Sequence, residues 1–133
     1  MTDVLKIERL TRRPQFLAAA KGRSEARGGV VIQALERGDD SPVVRVGFTA
    51  TRKIGGAVVR NRAKRRLRQA ARAILPDNAK PGFDYVLIAR MGTAERPWDR
   101  LLDDVKSALT RLATARPAPD RPVPPRDARQ DSR

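Results

Sequence analysis

The spacing of apolar and polar residues changes along the chain, and each change predicts a different element. Two β-rich runs, 30–35 and 43–50, flank the turn-forming segment 37–42 and predict an antiparallel hairpin. A similar run over 83–90 predicts another strand. The alanine-rich segment 12–20, with Pro14 in its first turn, predicts a short helix. Residues 1–10 show no regular spacing and are expected to be poorly ordered.

Two longer segments have helical spacing. From Ala57 to Ile74, apolar residues recur at steps of four, four, three and four, and residues 76–78 are expected to end this helix (Val59, Ala63, Leu67, Ala70 and Ile74). The second helix begins at Pro97 and has an apolar face that should pack on the sheet, with Trp98 in the core (Trp98, Leu101, Leu102, Val105, Ala108, Leu109 and Leu112).

These elements predict one α+β domain over residues 1–115, a small mixed sheet with helices packed on it in the order α-β-β-α-β-α. From residue 116 onward, five prolines within a short stretch prevent a helix from continuing. Residues 116–133 are therefore interpreted as a disordered Pro/Arg-rich tail.

Composition narrows the class of protein. Lys and Arg total 29 against 15 Asp and Glu, a net charge of +14 that calls for a polyanionic partner, nucleic acid first. The chain has no Cys and no His, which excludes thiol chemistry, Cys/His zinc sites and an imidazole general base. We find no signal peptide pattern at the start and no apolar run long enough to span a membrane, so a cytoplasmic protein is expected.

The positive charge is concentrated in one segment. Residues 52–72 contain nine cations and no Asp or Glu (Arg52, Lys53, Arg60, Arg62, Lys64, Arg65, Arg66, Arg68 and Arg72). Like charges one helical turn apart repel, and phosphates would offset that repulsion. The alternative is a solvated helix face, although such faces usually mix both signs. Phe16 either stacks on a base or belongs to the core, and composition alone favours the core.

One ordered set of residues resembles a known family. The segment 53–68, Lys-Ile-Gly-Gly-Ala-Val-Val-Arg-Asn-Arg-Ala-Lys-Arg-Arg-Leu-Arg, is similar to the signature of the bacterial ribonuclease P protein component, and the resemblance covers about residues 8–113. It implies an α-β-β-β-α-β-α fold similar to ribosomal S5 domain 2. It also implies an unusual left-handed β-α-β crossover, where a right-handed one is the general rule. One further short strand is then expected, within 22–30 or inside a segment interpreted as one strand.

The resemblance also implies a function. In that family an RNA subunit, using Mg²⁺, removes the 5′ leader of precursor tRNA. The protein is then a subunit of an endoribonuclease and has no catalytic or metal-binding residues of its own. Two groups match the family's positions: one for the RNA subunit (Arg60, Asn61, Arg62, Lys64, Arg65 and Arg68) and one for the leader (Phe16, Arg52, Lys53 and Arg90). Ala20 stands where the family often has a second aromatic, and residues 30–35 also lack one, so leader stacking should be weaker or built differently.

Other functions remain open. A ribosomal or other structural RNA-binding protein could carry a similar basic helix. A DNA-binding module would need a dimer contact or helix-turn-helix spacing, and neither is visible. A stand-alone metal nuclease would need clustered carboxylates, whereas 39–40 is interpreted as a turn and 103–104 as an exposed helix face. Membrane-surface binding is disfavoured by the narrow, alanine-rich apolar face. The role of the tail, metal binding by the protein itself and the oligomeric state are left open.

Overall fold

Five strands and three helices form along residues 6–114, the part of the chain that the computed structural model describes. The strands are β1 (Ile7–Arg9), β2 (Arg23–Arg27), β3 (Val30–Glu36), β4 (Val44–Thr49) and β5 (Phe83–Ala89), and the helices are α1 (Arg13–Ala20), α2 (Ala57–Asn78) and α3 (Trp98–Thr114). Two 3-10 turns lie at Arg52–Ile54 and Thr93–Glu95. The α+β class is confirmed, and the tail predicted for 116–133 lies outside the described residues.

The strands form one mixed sheet in the order β1-β4-β5-β3-β2. Strands β1, β4 and β5 are parallel neighbours, whereas β3 pairs antiparallel with both β5 and β2. The predicted hairpin between β3 and β4 is therefore wrong, because β5 lies between them. Strand β5 is buried along most of its length, so its backbone N–H and C=O groups need a strand on each side as partners. The β-rich runs predict which segments are strands but not the order of the strands in the sheet.

The extra strand expected within 22–30 is present as β2, which forms a hairpin with β3 through Gly28 and Gly29. Gly28 has a φ of 45°, a conformation that suits glycine. The expectation that residues 1–10 are poorly ordered is wrong for β1. Three residues are too few to show an alternating pattern, yet the Leu10 side chain that follows is only 4% exposed.

The two faces of the sheet carry different helices. On one face, α2 and α3 pack on alternate residues of β3, β4 and β5 and enclose most of the core. On the other, α1 covers a small cluster that includes Leu10, Ala19 and Val86. There the Phe16 ring lies so close to Gly47 that a Cβ at this glycine would come within 2.4 Å of it. Any side chain at residue 47 would therefore require the Phe16 ring, and α1 with it, to shift.

Helix α2 crosses from β4 to the parallel neighbour β5, and the hand of that crossover stays a prediction. The helix runs four residues beyond the predicted end at Ile74 and includes Pro76. Pro76 is exposed, and the Asn78 Nδ2 donates to the Ile74 carbonyl at 2.8 Å, which supplies a bond near the helix end. Helix α3 matches its prediction, except that Trp98 is 40% exposed and so lies outside the core.

Candidate RNA interface

The basic helix α2 begins directly after a glycine pair. Gly55 has a φ of 141°, which favours glycine, and a Cβ there would lie 3.0 Å from the Val59 Cβ. Gly56 is the N-cap in extended conformation, and no side chain caps the helix. The N–H groups of the first turn are therefore open to an acceptor from outside the helix.

Six cations of α2 form one surface, which we call the basic face (Arg60, Arg62, Lys64, Arg65, Arg68 and Arg72). All six are exposed or half-buried, and Asn61 between them is exposed. Within residues 6–114, none of the six forms an ion pair with a carboxylate. The structure thus places the predicted RNA-subunit residues along one helix and adds Arg72, which that prediction did not include. No carboxylate of the described residues pairs with these cations.

Arg66 belongs to the same run of cations but has a different environment. Its guanidinium donates to the Thr93 carbonyl at 2.7 Å and to the Arg96 carbonyl, and it lies 5.8 Å from the centre of the Trp98 ring. Burial, and then repulsion by Arg62, lower the pKa of Arg66 below its ordinary value. Arg66 therefore holds α2 against the segment before α3, and sequence alone did not separate it from its neighbours.

The predicted leader-binding residues lie near one end of the sheet. Arg52 and Lys53 follow β4 and Arg90 follows β5, and these two strands are parallel and in register at their ends. All three side chains are exposed. Phe16 is half-buried over Gly47, two residues before the end of β4. We call this group the α1 site; its ring, Phe16, lies on the sheet face that α1 covers, and its three cations lie at the end of the sheet.

The α1 site lacks the further aromatic rings that the family often has on α1 and β3. Other side chains occupy those places. Ala20 at the end of α1 is exposed, and Leu17 on the same helix is 52% exposed. On β3, the residues facing α1 are Val31, Gln33 and Leu35, all half-buried. Phe16 is therefore the aromatic ring that α1 contributes here, and it packs against the cluster of Leu10, Ala19 and Val86.

The prediction that 103–104 lies on an exposed helix face is wrong for Asp104. This carboxylate is 8% exposed, accepts the Gly29 N–H at 2.8 Å and pairs with the Arg96 guanidinium. The Thr93 hydroxyl donates to the Gly29 carbonyl at 2.7 Å. These contacts hold the β2–β3 turn against the segment between β5 and α3. Arg90, at the start of that segment, donates to the Gly28 carbonyl at 3.3 Å. The turn interpretation of 39–40 is correct.

The described residues contain neither a membrane-spanning helix nor a cluster of metal ligands. Among residues 6–114, no helix is both long and apolar enough to cross a membrane. The same part of the chain contains no group of three His, Cys, Asp or Glu side chains that could hold a metal ion.

Comparison with known proteins points to one family. The sequence profile of the family described as Ribonuclease P matches residues 5–113. The ribonuclease P protein component of Caulobacter vibrioides is 66% identical over 109 residues, covering 82% of this chain and 73% of the relative. That of Ruegeria pomeroyi is 51% identical over 110 residues, covering 81% and 88%. The solved RNase P protein of Thermotoga maritima is 30% identical with a TM-score of 0.57, covering 74% of this chain and 96% of its own. The Staphylococcus aureus protein, 22% identical with a TM-score of 0.65 and coverages of 80% and 94%, shows the fold alone.

Proposed function

The chain belongs to the ribonuclease P protein family, and from that premise we propose how its two surfaces serve the removal of the 5′ leader from precursor tRNA. The basic face of α2, together with Asn61, binds the RNA subunit. The α1 site binds the single-stranded leader. The RNA subunit cleaves the phosphodiester bond, using Mg²⁺ that it holds itself, and the protein acts in the cytoplasm as part of this endoribonuclease.

The observation that carries the proposal is the uncompensated charge of the basic face. Four arginines elsewhere in the described residues, Arg37, Arg45, Arg96 and Arg111, pair with carboxylates, yet these six neighbouring cations have none within 4.0 Å. Their mutual repulsion destabilises the isolated helix. A polyphosphate partner would relieve that repulsion and release counterions on binding. A Lys- or Arg-rich face evolved only for solubility would need no such segregation of charge.

Stacking of bases on aromatic rings supports the assignment of the single-stranded leader to the α1 site. An unpaired strand exposes base faces, which bind aromatic rings and guanidinium planes, whereas a duplex does not. The α1 site offers one ring, Phe16, and exposed cations at the end of the sheet, Arg52, Lys53 and Arg90. With alanine at position 20, the protein contributes fewer rings than the family pattern, so backbone phosphate contacts should provide more of the affinity.

The first test measures assembly. We expect the purified protein to bind a cognate bacterial ribonuclease P RNA and to raise cleavage of precursor tRNA by that RNA at low Mg²⁺. Arg65→Ala should weaken assembly and reduce the slope of log K against log salt by about one, because one phosphate contact is lost. Arg100→Ala on α3 is the matched control, since Arg100 is also exposed and lies outside the basic face.

Two results would contradict the proposal. If Arg65→Ala and Arg100→Ala change assembly equally, the basic face is not the RNA contact. If the protein binds ribosomal RNA as tightly as ribonuclease P RNA and leaves cleavage unchanged, it is a structural RNA-binding protein.

A second test addresses the leader. Phe16→Leu keeps an apolar side chain over Gly47 but removes the ring, so assembly should be unchanged. Affinity of the holoenzyme for precursor tRNA should fall by about 1–3 kcal/mol if a base stacks there. Mature tRNA, which has no leader, should bind the variant and the wild type equally. Leu17→Ala, a change at an exposed neighbour, is the control, and an equal loss for mature tRNA would remove Phe16 from the leader contact.

A further inference from the structure

A groove lies on the sheet face opposite the α1 site, between β1, β4 and the second half of α2. It has a volume of about 260 Å³. Its floor is apolar and is formed by side chains of β4 and α2, chiefly Val46, Phe48 and Leu75. Phe48 is half-buried, so its ring is accessible from the groove. Ordinary pockets for drug-sized ligands are larger, roughly 300–1,000 Å³, so this one suits a single planar ring.

Three arginines line this groove together with the apolar floor. Arg9 comes from β1, and Arg68 and Arg72 come from consecutive turns of α2. Within residues 6–114, none of the three has a carboxylate partner, and no Asp or Glu lines the groove. An apolar floor beneath unpaired guanidinium groups is complementary to a flat ring attached to a negative group. An acidic peptide could pair with the three guanidinium groups, but it does not carry a planar ring next to each negative group. A nucleic acid does, because every phosphate is joined to a nucleoside.

The groove is continuous with the basic face. Arg68 and Arg72, one helical turn apart on α2, both belong to the basic face and both line the groove. RNA that follows the basic face toward the C-terminal end of α2 would reach the groove without leaving the protein surface. Phe16 of the α1 site, by contrast, lies across the sheet, so a leader base stacked on it would be on the other side of β4 from the groove.

We propose that the groove between β1 and α2 binds one unstacked nucleotide of the RNA subunit. The base inserts against Phe48 and the apolar floor, and its flanking phosphates contact Arg9, Arg68 and Arg72. The assignment to the RNA subunit rests on the proposed function of the basic face. Because a base inserted in a pocket adds apolar contact but no charge, its contribution to affinity should be nearly independent of salt.

That difference in salt dependence supplies the test. Ala71 lines the groove, and Ala71→Leu would fill part of it without changing the charge. We expect this variant to bind ribonuclease P RNA at least about fivefold more weakly, with the salt slope of the wild type. Arg65→Ala should instead lower the slope. In base-specific chemical probing of the complex, one nucleotide protected by wild-type protein should become reactive with Ala71→Leu and stay protected with Arg65→Ala.

A second variant covers the case in which Ala71→Leu fails to fold, since Ala71 is only 2% exposed. Arg72 is exposed, and Arg72→Gln should lower affinity and expose the same nucleotide, whereas Arg100→Gln should do neither. The groove proposal is overturned if both folded groove variants leave the protection pattern unchanged, or if they weaken precursor binding while assembly stays the same. If wild-type protein binds no ribonuclease P RNA, the proposed function itself fails.

Discussion

Arginine occurs in two opposite environments in this protein. Around Asp84 it is paired with a buried carboxylate, whereas on the basic face it has no carboxylate partner among the described residues. Asp84 is 2% exposed and accepts hydrogen bonds from Arg37 at 2.8 Å and, through both carboxylate oxygens, from Arg45 at 2.8 Å. Arg37 also donates to the Ser41 and Val43 carbonyls. On α2, no carboxylate neutralises the six cations in the described part of the chain. Paired arginines here fix a turn to the sheet, whereas unpaired ones are available to a partner.

The pKa values of the arginines also differ between those paired with a carboxylate and those without one. For Arg37, burial lowers the pKa, but the hydrogen bonds to Asp39 and Asp84 outweigh it and the pKa is raised. For Arg45, the hydrogen bond to Asp84 raises the pKa. Arg66, half-buried and next to Arg62, has its pKa lowered by desolvation and then by repulsion from Arg62. Within residues 6–114 the contrast is sharper than the total charge of +14 suggests, because no Asp or Glu forms an ion pair with the basic face.

The largest effect should come from breaking the paired group. Asp84→Ala leaves Arg37 and Arg45 without their shared carboxylate, and Arg37 has a side chain only 7% exposed. We expect the free energy of unfolding to fall by about 3–5 kcal/mol, measured by urea denaturation. Asp103→Ala, at an exposed carboxylate without an ion pair among residues 6–114, is the control. Protein that stays folded should bind RNA with an unchanged salt slope, and full stability of Asp84→Ala would refute the structural role.

Arg66 sharpens the comparison, because it lies in the basic run but makes contacts within the protein. Arg66→Ala should lower the free energy of unfolding by about 1.5–3 kcal/mol, since two bonds from a charged group to carbonyls are lost. The salt slope of RNA binding should not change. Arg65→Ala should show the reverse, with stability retained and the slope reduced. Thermal unfolding and salt titrations of both variants decide this, and an unchanged Tm for Arg66→Ala would place it with the RNA contacts.

Local periodicity was sufficient to predict α2, α3 and β5, because each of these segments buries a regular stripe or run of apolar residues. Helix α1 buries only Ala19 and was predicted from its alanine run and Pro14 instead. It could not predict strand order, since the pairing of β3 with β5 depends on burial across the whole sheet. Strand β1 was missed because three residues carry no period.

The candidate site was only partly accessible to the same reasoning. The concentration of cations in α2 is visible in the sequence, and so is the signature 53–68. The separate role of Arg66 and the burial of Asp104 are not, because each depends on a carbonyl or N–H group that comes from a distant segment. The role of Arg9 in the groove likewise depends on β1, an element that the sequence did not reveal.

A smaller effect should follow from giving the basic face a carboxylate. Gln69 is exposed, four residues after Arg65 and three before Arg72. Gln69→Glu should stabilise the free protein by about 0.2–0.5 kcal/mol per pair formed, and it should weaken binding to ribonuclease P RNA. Gln69→Ala, which removes the amide without adding charge, is the control. Stability and affinity that change in the same direction would show that repulsion within α2 is not relieved by RNA.

The smallest effect concerns Asp39, the exposed partner of Arg37. The hydrogen bond from Arg37, at 2.9 Å, lowers the pKa of Asp39 below its ordinary value of 3.8. A carboxylate with a lowered folded-state pKa adds stability above its unfolded pKa, and that stability is lost as pH falls through the folded-state pKa. Asp39→Asn should therefore be slightly less stable than the wild type near neutral pH, and the difference should vanish in acid. The contribution is small because the pair is exposed to solvent. Asp40→Asn is the matched control, since Asn tolerates its φ of 64°. Unfolding midpoints measured from about pH 7 to pH 2 test this, and a difference that stays constant across that range would show that the Arg37–Asp39 contact does not contribute through charge.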